Sequence, residues 1–273
     1  MNKNFLLSFI VKFIFFVIMA KPILADSKCF IAQENSKILL QEGCCTNRHS
    51  PCSTFKVAIS LMRYNEGILV DSKHPEWPFK SDYSAWVKIW QLPHNPTTWI
   101  KDSCVWYSQI ITQQLGSIKL QNYLAKFQYG NQDISGDLGK NNGLTNSWLT
   151  SSLLISPMEQ LVFINKLVTS KLPTSLQAQK NTRRILFIAI FPEHWDLYGK
   201  TGTGNLILQS NTLTKPYELG WFIGWIEKNN RRITCVSYIE LANHSAIPAG
   251  KQAMQIAKEK LLSLIKRNKK MRI

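Results

Sequence analysis

Apolar and polar positions along the chain fall into two rhythms. Cys29 to Gln33 and Lys37 to Gln41 are short apolar-rich runs separated by Glu34-Asn35-Ser36, which predicts two strands joined by a turn. Val57-Ala58-Ile59-Ser60-Leu61-Met62 then follows Pro51 and stops near Gly67, which predicts a helix starting near Cys52 or Ser53. From Asp71 to Asn95, Pro75, Pro78 and Pro93 are set among Trp77, Trp86 and Trp90, the pattern of packed irregular chain with short helices. Pro96 to Leu115 reads as one helix stopped by Gly116, and Ser117 to Gln128 as the next. Residues 129–147 are rich in glycine and asparagine and predict a loop. Ser156-Pro157-Met158-Glu159 is a capping box with proline at the first helical position. Leu161, Ile164, Leu167 and Val168 follow it at helical spacing, and Thr174 to Arg184 predicts a further helix.

The rhythm changes at Ile185. Ile185 to Phe191 is wholly apolar and predicts a strand covered on both faces. Asn205 to Gln209, Gly220 to Ile226 and Ile233 to Glu240 predict further strands, the last two a hairpin through Glu227 to Arg231. Ala253, Ile256, Ala257, Leu261 and Leu264 line one face of a closing helix. A sheet built from both chain ends around a helical insert at about 71–184 fits this layout better than two independent domains. The 273 residues are enough to bury one sizeable core.

Met1 to Ala25 is a different kind of apolar stretch. Lys3 precedes the run Phe13 to Met19, and the small Ala25 suits signal-peptidase cleavage before Asp26. Lys12 interrupts the apolar segment, so a spanning helix fits poorly. The expectation is a cleaved signal peptide over 1–25, a single unit over 26–273, a periplasmic location and no stable membrane insertion. An uncleaved anchor is the alternative. Oligomeric state leaves no trace in the sequence.

Export bears on the six cysteines, at 29, 44, 45, 52, 104 and 235. An oxidising compartment favours a disulfide, expected between Cys52 and either Cys44 or Cys45. Cys44, Cys45, His49 and Cys52 also have the side chains of a zinc site, but the short loop and the export signal favour the disulfide. Cys104 and Cys235 lie in apolar runs and are expected as buried thiols. The net charge is +16, and removing Lys3, Lys12 and Lys21 with the leader leaves +13. The basic residues are scattered or gathered at Arg183-Arg184, Arg231-Arg232 and the tail from Lys258 to Arg272, which has no aromatics after Leu264. That argues against a nucleic-acid partner and suits anionic ligands.

Candidate chemistry begins at Ser53-Thr54-Phe55-Lys56. Residues three apart share a helix face, so a hydroxyl and an amine would meet there. A serine is a poor nucleophile until a base takes its proton, and Phe55, Val57 and Ile59 offer an apolar wall that would keep the amine neutral. On these four residues alone, a helix cap with a solvated lysine is the favoured reading.

Ser53-Thr54-Phe55-Lys56, Ser103-Cys104-Val105, Tyr129-Gly130-Asn131 and Lys200-Thr201-Gly202 follow one another in the order found in penicillin-recognising serine enzymes. In detail the chain resembles a class D (oxacillinase-type) serine β-lactamase. Ser-x-Val, followed by Tyr-Gly-Asn, distinguishes it from class A. Trp106-Tyr107, Trp148-Leu149, Ile155-Ser156-Pro157, Tyr198-Gly199, Gly220-Trp221 and Gly224-Trp225 extend the resemblance over nearly the whole mature chain.

The resemblance implies an α/β (α+β) fold with a mainly antiparallel central sheet, flanked by N- and C-terminal helices. It implies β-lactam antibiotics as substrates, no metal, and carbon dioxide or bicarbonate to carboxylate Lys56. Ser53 resembles the nucleophile, and its N–H with that of Thr203 the oxyanion hole. Carboxylated Lys56 matches the general base, Ser103 the proton relay to the lactam nitrogen, and Lys200 the cation on the strand edging the site. Trp148 matches the indole that holds the carbamate, and Val105 and Leu149 the wall around it. Thr201, Gly202 and Tyr129 complete the expected substrate contacts. Where family members carry a carboxylate-binding arginine, this chain has Gly250-Lys251, and Lys251 would act as a point charge without the bidentate fork. A penicillin-binding sensor or a D,D-peptidase of the same fold, acylated without efficient turnover, is the alternative function.

Overall fold

The computed structural model describes residues 28–206, 217–243 and 245–270. The expected signal peptide and residues 207–209 of the expected strand Asn205 to Gln209 lie outside them.

Strands β1 (Cys29–Glu34) and β2 (Lys37–Gly43) form the predicted hairpin. A 3-10 turn, Cys52–Phe55, leads into α1 (Lys56–Asn65). The helical region then runs through α2 (Pro96–Asp102), α3 (Val105–Leu115), α4 (Ser117–Phe127), α5 (Gly143–Asn146), α6 (Pro157–Val168) and α7 (Leu176–Ile185). The chain returns as β3 (Phe187–Phe191), β4 (Trp195–Leu206), β5 (Tyr217–Lys228), β6 (Arg231–Leu241) and α8 (Ala249–Lys270). All six strands form one antiparallel sheet in the order β2-β1-β6-β5-β4-β3. The sheet is thus assembled from both ends of the chain, as the hydrophobic pattern predicts.

Strand alternation gives the sheet two buried faces. Ile31, Trp221, Ile223, Trp225 and Val236 pack with the helical region, while Phe30, Ala32, Phe222, Ile226 and Cys235 pack with α8. Ala249, Ala253 and Ala257 recur every four residues on α8 and let it sit close to the sheet. A Cβ at Gly220 would overlap the Ala249 backbone. Two helices start as the sequence predicts. Asn95 and Thr98 cap α2 with Pro96 at its first position, and Ser156 and Glu159 form the capping box of α6.

Four expectations need correction. The disulfide joins Cys29 to Cys45, with Cα atoms 5.2 Å apart, and Cys52 is a buried free thiol. The hairpin is responsible: Cys29 lies opposite Gly43, which brings Cys45 to it, whereas Cys52 points at β4. With Cys45 in a disulfide, the Cys44–Cys52 run loses its zinc-like set. Pro96 to Leu115 is two helices, broken where Ser103 turns left-handed at φ 60°, ψ 30°. Trp90 Nε1 donates to Asp102 O (2.8 Å) and Cys104 N to Trp99 O (3.1 Å), so distant side chains and a back-bonded amide end α2 there. The apolar run at Ile185 closes α7 before entering β3, an edge strand whose Ile190 is 72% exposed, not a strand buried on both faces. Finally, β4 begins at Trp195, ten residues before Asn205, because its glycines hide a strand that pairing with β5 enforces.

Candidate active site

Lys56 opens α1 and has no exposed surface. Phe55, Val57 and Ile59 beside it are equally buried. Removal from water pushes its amine down to about 8, against a weaker pull from the nearby thiols of Cys104 and Cys52. Lys56 Nζ donates to Ser53 Oγ at 3.1 Å. The solvated-lysine alternative therefore fails, and the hydroxyl and the amine meet as the spacing predicts.

β4 runs directly over this turn. A Cβ at Gly202 would lie 3.0 Å from Pro51 O and 3.2 Å from Thr54 N, and one at Gly204 would lie 2.5 Å from Cys52 Sγ. The two glycines thus let the strand bring Lys200, Thr201 and Thr203 against the turn that carries Ser53. On the same strand face Lys200 reaches across to α2, and its Nζ donates to Ser103 Oγ (2.9 Å) and Thr201 O (2.9 Å). Lys200 is held well below the usual lysine range by burial and by the positive charge of Lys56. The left-handed turn at Ser103 is what aims its hydroxyl at Lys200, with Val105 buried two residues on at the start of α3.

The third wall is the segment 148–155. Trp148 is fully buried against Phe55, ring centroids 5.5 Å apart, and its indole N–H has no hydrogen-bond partner among the described residues. An unpaired buried donor costs about 1–3 kcal/mol, so the position suits a negatively charged oxygen group on a neighbour. Leu149 is half-buried and packs against the same core.

Tyr129, expected to touch substrate, is instead wholly buried between Phe55 and Phe163, within hydrogen-bond reach of Gln160 Nε2 (3.3 Å). Its motif works as a buttress. Gly130 adopts φ 56° where a Cβ would overlap Leu154 O, and Asn131 donates to Ser152 O (2.8 Å) while accepting from Leu154 N (2.9 Å). Together they pin the far end of the Trp148 segment.

On the α8 side, Gly250 N donates to Thr203 Oγ1 (3.0 Å). A Cβ at 250 would lie 2.5 Å from Gly202 O, so this position has no room for a side chain of any kind. Lys251, exposed on the first turn of α8, lines the same cavity as Thr201.

Two residues had no signal in the sequence. Ser50 donates to Trp148 O (2.8 Å) and accepts from Thr150 N (2.9 Å), while its carbonyl accepts from Trp221 Nε1 (2.9 Å), tying the Trp148 segment and β5 to the Ser53 turn. Trp90 holds the break before Ser103. Their partners are 98 and 12 residues away, so no local pattern could have marked them.

A model of the penicillin binding protein transpeptidase domain matches residues 23–261. The β-lactamase OXA-9 of Klebsiella pneumoniae is 38% identical over 231 residues, 84% of each chain. The β-lactamase OXA-1 of Escherichia coli is 37% identical over 247 residues, 87% of this chain and 86% of the relative. Among solved structures, that of the OXA-427 class D β-lactamase superposes with a TM-score of 0.82 at 36% identity, covering 88% of this chain and 99% of that one.

Proposed function

The chain belongs to the class D β-lactamases of the penicillin-binding transpeptidase-domain family, and from that premise we propose how it opens the lactam. Ser53 Oγ attacks the lactam carbonyl carbon and gives up its proton to a base at Lys56. The backbone N–H groups of Ser53 and Thr203 receive the developing oxyanion. As the C–N bond breaks, Ser103, hydrogen-bonded to Lys200, passes a proton to the departing nitrogen. The ring carboxylate is held by Thr201 and Lys200 with Lys251 as an outlying charge. Water then attacks the ester on Ser53 and frees the enzyme. Val105 and Leu149 keep the base dry.

The observation that carries this reading is the fully buried Lys56 amine 3.1 Å from Ser53 Oγ. Burial keeps part of the amine neutral near pH 8, and only a neutral amine adds carbon dioxide. The carbamate so formed supplies the general base for both steps, and the partnerless Trp148 N–H is the donor that would hold it. Residues 1–25 serve as a cleaved export signal, and the periplasm is where residues 26–273 act as one catalytic unit.

The test is nitrocefin hydrolysis by the mature protein with and without bicarbonate. Repeated turnover that rises with bicarbonate is expected. A single stoichiometric burst would replace this reading with a sensor or peptidase that is acylated and stays so.

A further inference from the structure

A cavity of about 380 Å³ opens between α2 and α8 at the outer edge of β4. β3 pairs with β4 only as far as Phe187 opposite Tyr198, and Gly199 N then donates to Leu186 O (2.9 Å). Beyond that bond, Lys200 and Thr201 line this space. Ile100, Leu186, Ile188 and Met254 give the cavity apolar walls. Lys101 and Lys251 stand exposed at its rim, and Lys200 lies at its inner end beside Ser103. An apolar hollow rimmed by cations suits an anionic molecule with an apolar arm.

We propose that this cavity receives the substituent on the ring fused to the lactam nitrogen, and that the enzyme favours cephems with a large apolar group at C3. The inference rests on the reading above, in which Ser103 serves the lactam nitrogen and Lys200 and Thr201 the ring carboxylate. Those residues set the nitrogen side of the substrate at the inner end of the cavity. The acylamino arm, on the far side of the carbonyl, runs the other way along β4 towards Asn205. In a cephem the C3 group leaves the ring next to the carboxylate, so it enters the apolar hollow while the carboxylate stays near the lysines. The geminal methyls of a penam are too small to fill it.

Two cephems with the same acylamino arm, one carrying methyl and one carrying 2-phenylethyl at C3, test this without changing the conjugation of the departing nitrogen. The phenylethyl compound is expected to show a kcat/KM about tenfold higher, expressed mainly in KM, which is about 1.4 kcal/mol. Met254→Trp, which fills the cavity, and Ile188→Asp, which charges its wall, should each bring that ratio to near one. Thermal melting of both variants checks that they are folded. Equal kcat/KM for the two cephems in the wild type, or a ratio that survives in a folded variant, overturns the proposal while leaving the enzyme's mechanism intact. Failure to turn over either cephem or a penicillin overturns the mechanism and this proposal with it.

Discussion

The two faces of the sheet are built on opposite principles. Between the sheet and α8, Phe30, Ala32, Leu197, Phe222, Cys235, Ala253, Ala257 and Leu261 make a core in which no charged side chain is buried among the described residues. On the helical side of the sheet, Lys56, Arg63 and Lys200 are buried, as are Thr54, Ser60, Ser108 and Gln160, and Trp148 keeps an N–H unpaired among the described residues. Burying two lysine amines side by side opposes folding through desolvation and mutual repulsion. One face therefore supplies stability, and under the proposed mechanism the other spends part of it to hold the amines and hydroxyls in reactive form. Stored unfavourable electrostatics on one side of a sheet is what the proposed reaction site requires.

Mutations that act on only one face break this division most sharply. Lys56→Ala is expected to lower nitrocefin kcat by about 10⁴-fold or more, with acyl-enzyme accumulating in mass spectra. Its melting temperature should hold or rise, since a buried amine is removed; a fall in stability together with near-normal deacylation would refute the role given to Lys56. On the other face, Leu261→Ala is expected to lower stability by about 2–5 kcal/mol in urea unfolding and leave kcat within twofold at temperatures where it is folded.

The pH dependence of stability separates the faces next. Lys56 sits near 8 in the fold and near about 10.4 in an unfolded chain, so below pH 8 both states are protonated and the burial penalty is complete. Between those values the unfolded chain holds a proton that the native lysine has lost, and stability rises with pH. In carbon-dioxide-free buffer the gain from pH 7 to pH 9.5 should be roughly 2 kcal/mol larger in the wild type than in Lys56→Met. Identical pH slopes would show that the amine is not the stored penalty. The smallest effect is expected at Trp148→Phe, which removes the orphaned N–H. The bicarbonate concentration for half-maximal activity should rise about tenfold, and an unchanged requirement would free Trp148 from any part in holding the carbamate.

Much of this was legible in the residues. The hairpin Cys29 to Gly43, the capping box at Ser156 and the apolar face of α8 are local patterns with local causes, and they fold as written. The Ser53–Lys56 pair was equally readable, because three residues of helix bring them together whatever the rest of the chain does. The break at Ser103 was not readable, since it depends on the indole of Trp90 and a back-bonded amide. Nor was Tyr129, whose motif marks a conformational need at Gly130 and Asn131 rather than a substrate contact.

By itself the sequence determined which residues could do chemistry and the two rhythms that make a sheet from both chain ends, because both are encoded within a few residues of each other. Only the tertiary structure decided that Cys29 and not Cys52 closes the disulfide, that Ser103 meets Lys200 across 97 residues, and that position 250 has no space for a side chain. Those outcomes depend on how closely separate elements approach, and close approach is settled by packing over the whole chain.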